Sequence, residues 1–98
     1  MDENVMKAHR VMCKKWTLLI IALLQLRNPR RFNDMLSELS GISTKTLSER
    51  LKELETTSLV RRKVFPEVPP RVEYSLTDSG KELSKSLENF YSWAMKGV

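Results

Sequence analysis

The sequence predicts an α+β fold that is mostly α, and three observations carry that prediction. Two short segments of helical apolar period flank Ser40-Gly41, which reads as two helices joined by a tight turn. The period then changes to alternation over residues 60–76, around a proline-rich break. A last amphipathic segment runs from Asp78 to about Met95. Residues 1–98 read as one domain, with no internal repeat, low-complexity tract or linker.

The elements follow in order. Residues 4–13 make a short helix of loose periodicity, with Val5, Met6, Val11 and Met12 as its apolar contacts. A second helix is expected from about Lys15 to Leu26. Asn28 suits its stop, because Asn tolerates the left-handed conformation, and Pro29 discourages continuation. The third helix runs from Arg31 to about Leu39, where Phe32, Met35, Leu36 and Leu39 fall at i, i+3, i+4 and i+7. Ser40-Gly41 ends it. Ser43 is an N-cap for a fourth helix from Thr44 to about Thr57. Leu47, Leu51 and Leu54 form its inward stripe, while Lys45, Ser48, Glu49 and Lys52 point the other way. Residues 59–65 and 71–76 are strands, with Val72, Tyr74 and Leu76 alternating with polar neighbours. Pro66 to Pro70 lies between them as a stiff tip to a two-stranded ribbon. Thr77 caps the last helix, where Leu83, Leu87, Phe90 and Ala94 make one face beside Tyr91 and Trp93.

Composition narrows the function. Seventeen Lys+Arg against twelve Asp+Glu leave a formal charge of +5, which favours an anionic partner. The excess sits in the middle: residues 27–71 carry ten basic and six acidic side chains, residues 72–98 three and four. One cysteine excludes an internal disulfide, and one His with one Cys is too few for an ordinary zinc site. No metal or other cofactor is expected. No nucleophile–base set or phosphate-cradling Gly loop supports an enzyme. The RNP aromatic motif and the KH Gly loop of RNA binders are also absent. The apolar stretch Trp16–Leu26 is about half the ~20 residues that cross a bilayer. Lys14-Lys15 ahead of it resembles the start of a secretory signal, but no small-residue cleavage site follows. It reads as a core helix, and the expected location is cytoplasmic.

Helix, helix-turn-helix, two-stranded ribbon and helix together make a winged helix-turn-helix, with a β-wing and a C-terminal dimerisation helix. A major groove about 12 Å wide admits one helix, whose N-terminal part meets base edges. The helix over about 44–57 is the candidate, with the wing over about 60–76 at the minor groove. Candidate DNA contacts are Arg31, Ser43, Thr44, Lys45, Thr46, Ser48, Arg50, Lys52, Arg62 and Arg71. The hydroxyls and the amine on the entry turn reach bases and phosphates, and the helix N-terminus accepts a phosphate. Arg71, at the tip after two prolines, suits insertion into a narrow minor groove. Arg50 lies toward the core margin and either contacts phosphate or laces a salt bridge. Leu87, Phe90, Tyr91, Trp93 and Ala94 offer more apolar surface than a small core needs, so the first and last helices are read as a dimer interface.

These residues carry a resemblance. Lys15-Trp16-Thr17-Leu18-Leu19-Ile20, Arg31-Phe32-Asn33-Asp34-Met35-Leu36, Gly41-Ile42-Ser43, Leu47 to Glu55, and Pro70-Arg71-Val72-Glu73-Tyr74-Ser75-Leu76-Thr77 resemble the HxlR-type regulators, relatives of the MarR regulators. Gly80 and Trp93 fit as well, and the likeness spans residues 5–94. It implies a prokaryotic, dimeric, sequence-specific transcription regulator, read here as a repressor acting on a pseudo-palindromic operator in double-stranded DNA. Some positions depart from the family pattern. The family often has a Cys-Pro pair near the N-terminus, its Cys an oxidant sensor in some members; Glu3 and Asn4 stand there instead. Asn28 and Ser58 stand where glycine is common, and Cys13 also replaces a usual glycine.

Other residues have a bland reading beside a sharp one. Cys13, next to Lys14 and Lys15 and ahead of a helix, is a candidate redox sensor because positive charge favours the thiolate; the alternative is a small buried or interface side chain. His9 reads as a surface or interface residue without a ligand set. Trp16 and Trp93 read as core or dimer packing, and Asp34 with Glu38 as a solvated edge. The competing class for the whole chain is a winged-helix protein-interaction module that does not read DNA sequence.

Overall fold

The computed structural model describes all residues 1–98. Its elements are α1 (Glu3–Met12), α2 (Thr17–Leu26), β1 (Arg30–Arg31), α3 (Phe32–Glu38), α4 (Thr44–Thr56), β2 (Val60–Phe65), β3 (Arg71–Leu76), α5 (Asp78–Ser86) and α6 (Glu88–Met95). The architecture is the expected mostly helical α+β winged helix-turn-helix. The α4 helix begins where its cap predicts: Ser43 Oγ accepts from the Thr46 backbone N–H at 3.0 Å. Gly41, at φ +93°, makes the turn between α3 and α4 without the steric cost a side chain would bring. Thr77 caps α5, its Oγ1 accepting from Gly80 N at 3.0 Å.

A core of twelve apolar residues lies under these elements. Ile20, Ile21 and Leu24 of α2, Met35 of α3, and Leu47, Leu51 and Leu54 of α4 are sealed from solvent. Val60, Tyr74 and Leu76 bring the base of the wing onto the same core. The apolar stretch Trp16–Leu26 is therefore a core helix, and no helix is long and apolar enough to cross a membrane.

Four details differ from the sequence expectation. The sheet has three strands in the order β1-β3-β2, because Arg30 pairs with Tyr74 and Arg31 with Glu73. Two arginines carry no alternation, so the pairing was invisible locally. The wing itself is the expected hairpin, in register from Val60↔Leu76 to Phe65↔Arg71. Secondly, α2 starts at Thr17, since Trp16 takes a left-handed φ of +82°, unusual for a bulky residue, and Cys13 to Lys15 form a turn. Thirdly, Asn28 is not left-handed: Arg27 turns extended and ends α2, and the Asn28 Oδ1 accepts from Leu76 N at 3.0 Å. Asn28 therefore ties the end of α2 to the base of the wing. Fourthly, the helix expected over 78–95 divides at Leu87. The Leu83 carbonyl that receives Leu87 N also receives the Ser86 hydroxyl at 2.7 Å, a local competitor to the helical ladder. Ser58, standing where glycine is common, adopts φ +63°, the strained turn that this departure leads one to expect.

Arg30 is the buried charge that holds this frame. It is 7% exposed, and its Nε donates to Leu23 O at 2.7 Å and Arg27 O at 3.1 Å, closing the C-terminus of α2. Its Nη1 meets Glu38 Oε2, and Arg27 reaches Glu38 at 3.4 Å and Asp34 at 3.8 Å. Asp34 and Glu38 thus anchor two arginines and are not a free solvated edge. Arg30→Ala removes a donor from the Leu23 and Arg27 carbonyls and one of the two arginines at Glu38, and is expected to cost about 2–3 kcal/mol. Urea denaturation of the two proteins checks it, and an unchanged midpoint would dismiss the role.

Candidate nucleic-acid interface

The N-terminal half of α4 and the wing enclose a groove of about 670 Å³. Arg31, Thr44, Ser48, Arg62 and Arg71 all line it. Five of the ten expected contact residues, from four separate elements, therefore meet on one surface. The reason is architectural: Arg31 enters α3, Thr44 and Ser48 lie one turn apart on α4, and Arg62 and Arg71 stand on the paired strands. Asn33 and Glu67 line the groove as well and were missed. Asn33 lies on the polar side of α3, and nothing in its spacing marked it out.

The remaining expected contacts divide by what they touch. Lys45 and Lys52 are exposed on α4 and make no ion pair within 4.0 Å, so both ammoniums are free for phosphate. Ser43 and Thr46 spend their hydroxyls on each other: Ser43 Oγ donates to Thr46 Oγ1 at 3.0 Å while capping the helix. Arg50 takes the salt-bridge alternative. Its guanidinium meets Glu53 at 2.6 Å and Glu49 at 3.5 Å, and Glu53 also takes Lys14 at 3.0 Å. With its side chain only 16% exposed, Arg50 braces α4 from the side and is not one of the free cations of this face.

Arg71 stands at the wing tip as expected, but it is not loose. Its guanidinium meets Glu67 at 2.8 Å and Glu73 at 3.2 Å, and lies 3.9 Å above the Phe65 ring. Cation–π contact and two carboxylates fix the tip against its own hairpin. Arg62 is different: it is exposed and unpaired, and it faces the groove opposite Tyr74. Arg71→Ala is therefore expected to loosen residues 66–70, and hydrogen exchange of the Glu67 amide, which donates to Phe65 O at 2.8 Å, should rise about fivefold, the worth of roughly one surface ion pair and one stacking interaction. Exchange identical to the parent protein would show that the clamp is without consequence.

The expected dimer residues lie on a little-buried helix. No residue of α6 or α1 is fully buried. Phe90 is 47% and Trp93 56% exposed, and their rings stack at 6.1 Å. Trp93 is thus not a core residue, whereas Trp16 packs partly buried on the core. Tyr91 and Ala94 are half-buried, and Leu87 packs against the core. Burial pushes the Tyr91 phenol above its ordinary 10.0, and its hydroxyl reaches Leu18 O at 3.5 Å. Val5 and Met6 of α1 are also exposed. Cys13 is exposed, not buried, and caps the C-terminus of α1. Its Sγ lies 3.8 Å from His9 Nδ1, a pairing at i, i+4 that the sequence reading overlooked.

A helix-turn-helix with a free basic face and a wing defines a transcriptional regulator with a DNA-binding domain. The comparison with known families agrees. The HxlR-like helix-turn-helix model matches residues 11–98, and the chain belongs to that family. It is 48% identical over 82 residues to the uncharacterized HTH-type transcriptional regulator BH0655 of Halalkalibacterium halodurans, covering 84% of this chain and 73% of that protein. It is 40% identical over 94 residues to the HTH-type transcriptional regulator YodB of Bacillus subtilis, covering 96% and 83%. Among solved structures, a MarR-family regulator from Porphyromonas gingivalis W83 superposes with a TM-score of 0.90 at 37% identity, over 100% of this chain and 97% of that one. The reduced form of YodB gives 0.85 at 37% identity, over 100% and 95%. These relatives are transcriptional regulators.

Proposed function

We propose that the 98-residue chain acts as one DNA-binding domain and works as a cytoplasmic homodimeric repressor. It reads a pseudo-palindromic operator through α4 in the major groove and the wing at the minor groove. One observation carries the reading: Arg31, Thr44, Ser48, Arg62 and Arg71 converge on a single groove beside two unpaired lysines of α4. Phosphate contacts position such a protein, and hydroxyls on the entry turn of α4 select the bases. The exposed Phe90 and Trp93 with the unburied α1 support pairing of two copies through their terminal helices. Two-fold symmetry then sets half-sites about 34–36 Å apart or a multiple of that.

The test is a fluorescence-anisotropy titration against the DNA upstream of the protein's own gene, with scrambled competitor, at two salt concentrations. The reading expects binding that survives competitor, and a dimer by gel filtration with light scattering at micromolar protein. Weak binding lost equally for both DNAs as salt rises is counterion release alone, and would replace the repressor with a protein-interaction module. A monomer would refute the assembly.

A further inference from the structure

A second cavity shares no lining residue with the groove. It is a pocket of about 250 Å³ where the end of α2, the base of β3, and α5 meet the start of α6. Its floor is apolar, from the buried Leu24 and Leu76. Ser84 lines it, only 2% exposed, and its Oγ has no hydrogen-bond partner. A helical serine ordinarily returns its hydroxyl to the preceding turn, and a buried hydroxyl left unpaired is costly. Asn28 commits its Oδ1 to Leu76 N, which leaves both N–H groups of its amide without a partner. Lys81 and Lys85, one turn apart on α5, border the same space with Glu88, and none of the three makes an ion pair within 4.0 Å.

We propose that this pocket binds a small carboxylate with a short aliphatic body. The donors fit that chemistry in kind and number. A carboxylate accepts from the Ser84 hydroxyl and the Asn28 amide, while two ammoniums against one carboxylate leave the rim net positive. A single negative charge balances that excess, whereas a multiply charged phosphate over-compensates it above an apolar floor. An amine is excluded by the two lysines. The volume lies just below the ~300 Å³ at which drug-sized sites begin, so the body is short. The site stands independently of the DNA reading, since its occupant touches none of the groove residues.

The experiment is a titration of the full chain with sodium hexanoate, followed by backbone and Asn side-chain amide NMR shifts. Hexylammonium chloride and hexanol serve as matched probes. Saturable shifts at Asn28, Leu76 and Ser84 are expected with hexanoate alone. Ser84→Ala should weaken hexanoate about fivefold, the worth of one hydrogen bond, while its melting temperature stays level or rises because the free protein makes no bond there to break. Lys81→Gln with Lys85→Gln should weaken it about tenfold. Shifts that grow linearly without saturation, equal shifts with hexylammonium, or variants that bind hexanoate like the parent chain would each overturn the proposal.

Discussion

Gly80→Ala is expected to lower the melting temperature by about 10–20 °C, following a loss of about 2–3 kcal/mol. On an exposed helix the same change stabilises by up to about 1 kcal/mol, so the expected sign is reversed. The reason is the approach of α5 to the entrance of β2. A Cβ at position 80 would run into the Leu59 carbonyl oxygen, and it would stand 3.1 Å from both Leu59 C and Leu76 Cδ2. That carbonyl cannot move away cheaply. It accepts from Thr77 N at 3.1 Å, while Thr77 Oγ1 donates to Ser58 O at 2.6 Å and caps α5. Ser58 already sits at a positive φ, so the segment has little slack. Thermal unfolding of Gly80→Ala beside Ser79→Ala, an exposed neighbour on the same turn, separates the clash from helix propensity. A Gly80→Ala protein as stable as the parent would show that α5 can slide off Leu59 without loss.

What the sequence showed and what it hid divide by range. The α3–turn–α4 unit was legible because every signal in it is local. Ser43 bonds three residues on, Gly41 bends its own backbone, and Leu47, Leu51 and Leu54 repeat at helical spacing. The hairpin was legible for the same reason, with its prolines at the tip. Contacts that close over long sequence distances left no trace. Arg30 joins β3 by pairing with Tyr74, forty-four positions away, and Asn28 reaches Leu76 across forty-eight. The family pattern places glycine where Asn28 stands, and conformational tolerance is the local account of the exchange. The side-chain acceptor explains it better, since glycine could not receive Leu76 N.

The candidate site was half legible, and charge shows why. A sequence counts arginines but does not say which are spoken for. Arg62 and Arg71 look alike in a basic ribbon; folded, one is free and the other is held by Glu67, Glu73 and the Phe65 ring. Arg50 and Lys52 likewise stand two apart on α4, yet only Arg50 turns toward Glu49 and Glu53. Register decides these fates, and register is a property of the whole sheet or helix packing.

That distinction governs the largest expected functional effect. Thr44→Ala, Lys45→Ala and Ser48→Ala combined should cost roughly 10²–10⁶-fold in operator affinity, at about 1–3 kcal/mol for each interaction with a base that is removed. Binding to scrambled DNA should fall far less, because two of the three changes remove hydroxyls and one removes a cation. Arg62→Ala should behave in the opposite way. Its guanidinium is free in the groove, and taking away one phosphate partner weakens all sequences alike and reduces the salt slope by about one. Arg50→Ala is the control, since its partners are already within the protein: it should lower stability with little change in the salt slope. Anisotropy titrations of the four proteins on operator and scrambled duplexes, across a salt series, resolve the three patterns. If the triple variant weakened on the two DNAs in equal proportion, α4 would be a phosphate-binding helix and base selection would have to come from elsewhere. If Arg50→Ala lowered the salt slope as Arg62→Ala does, its carboxylate partners would have to release it on DNA, and the brace along α4 would be part of the binding step.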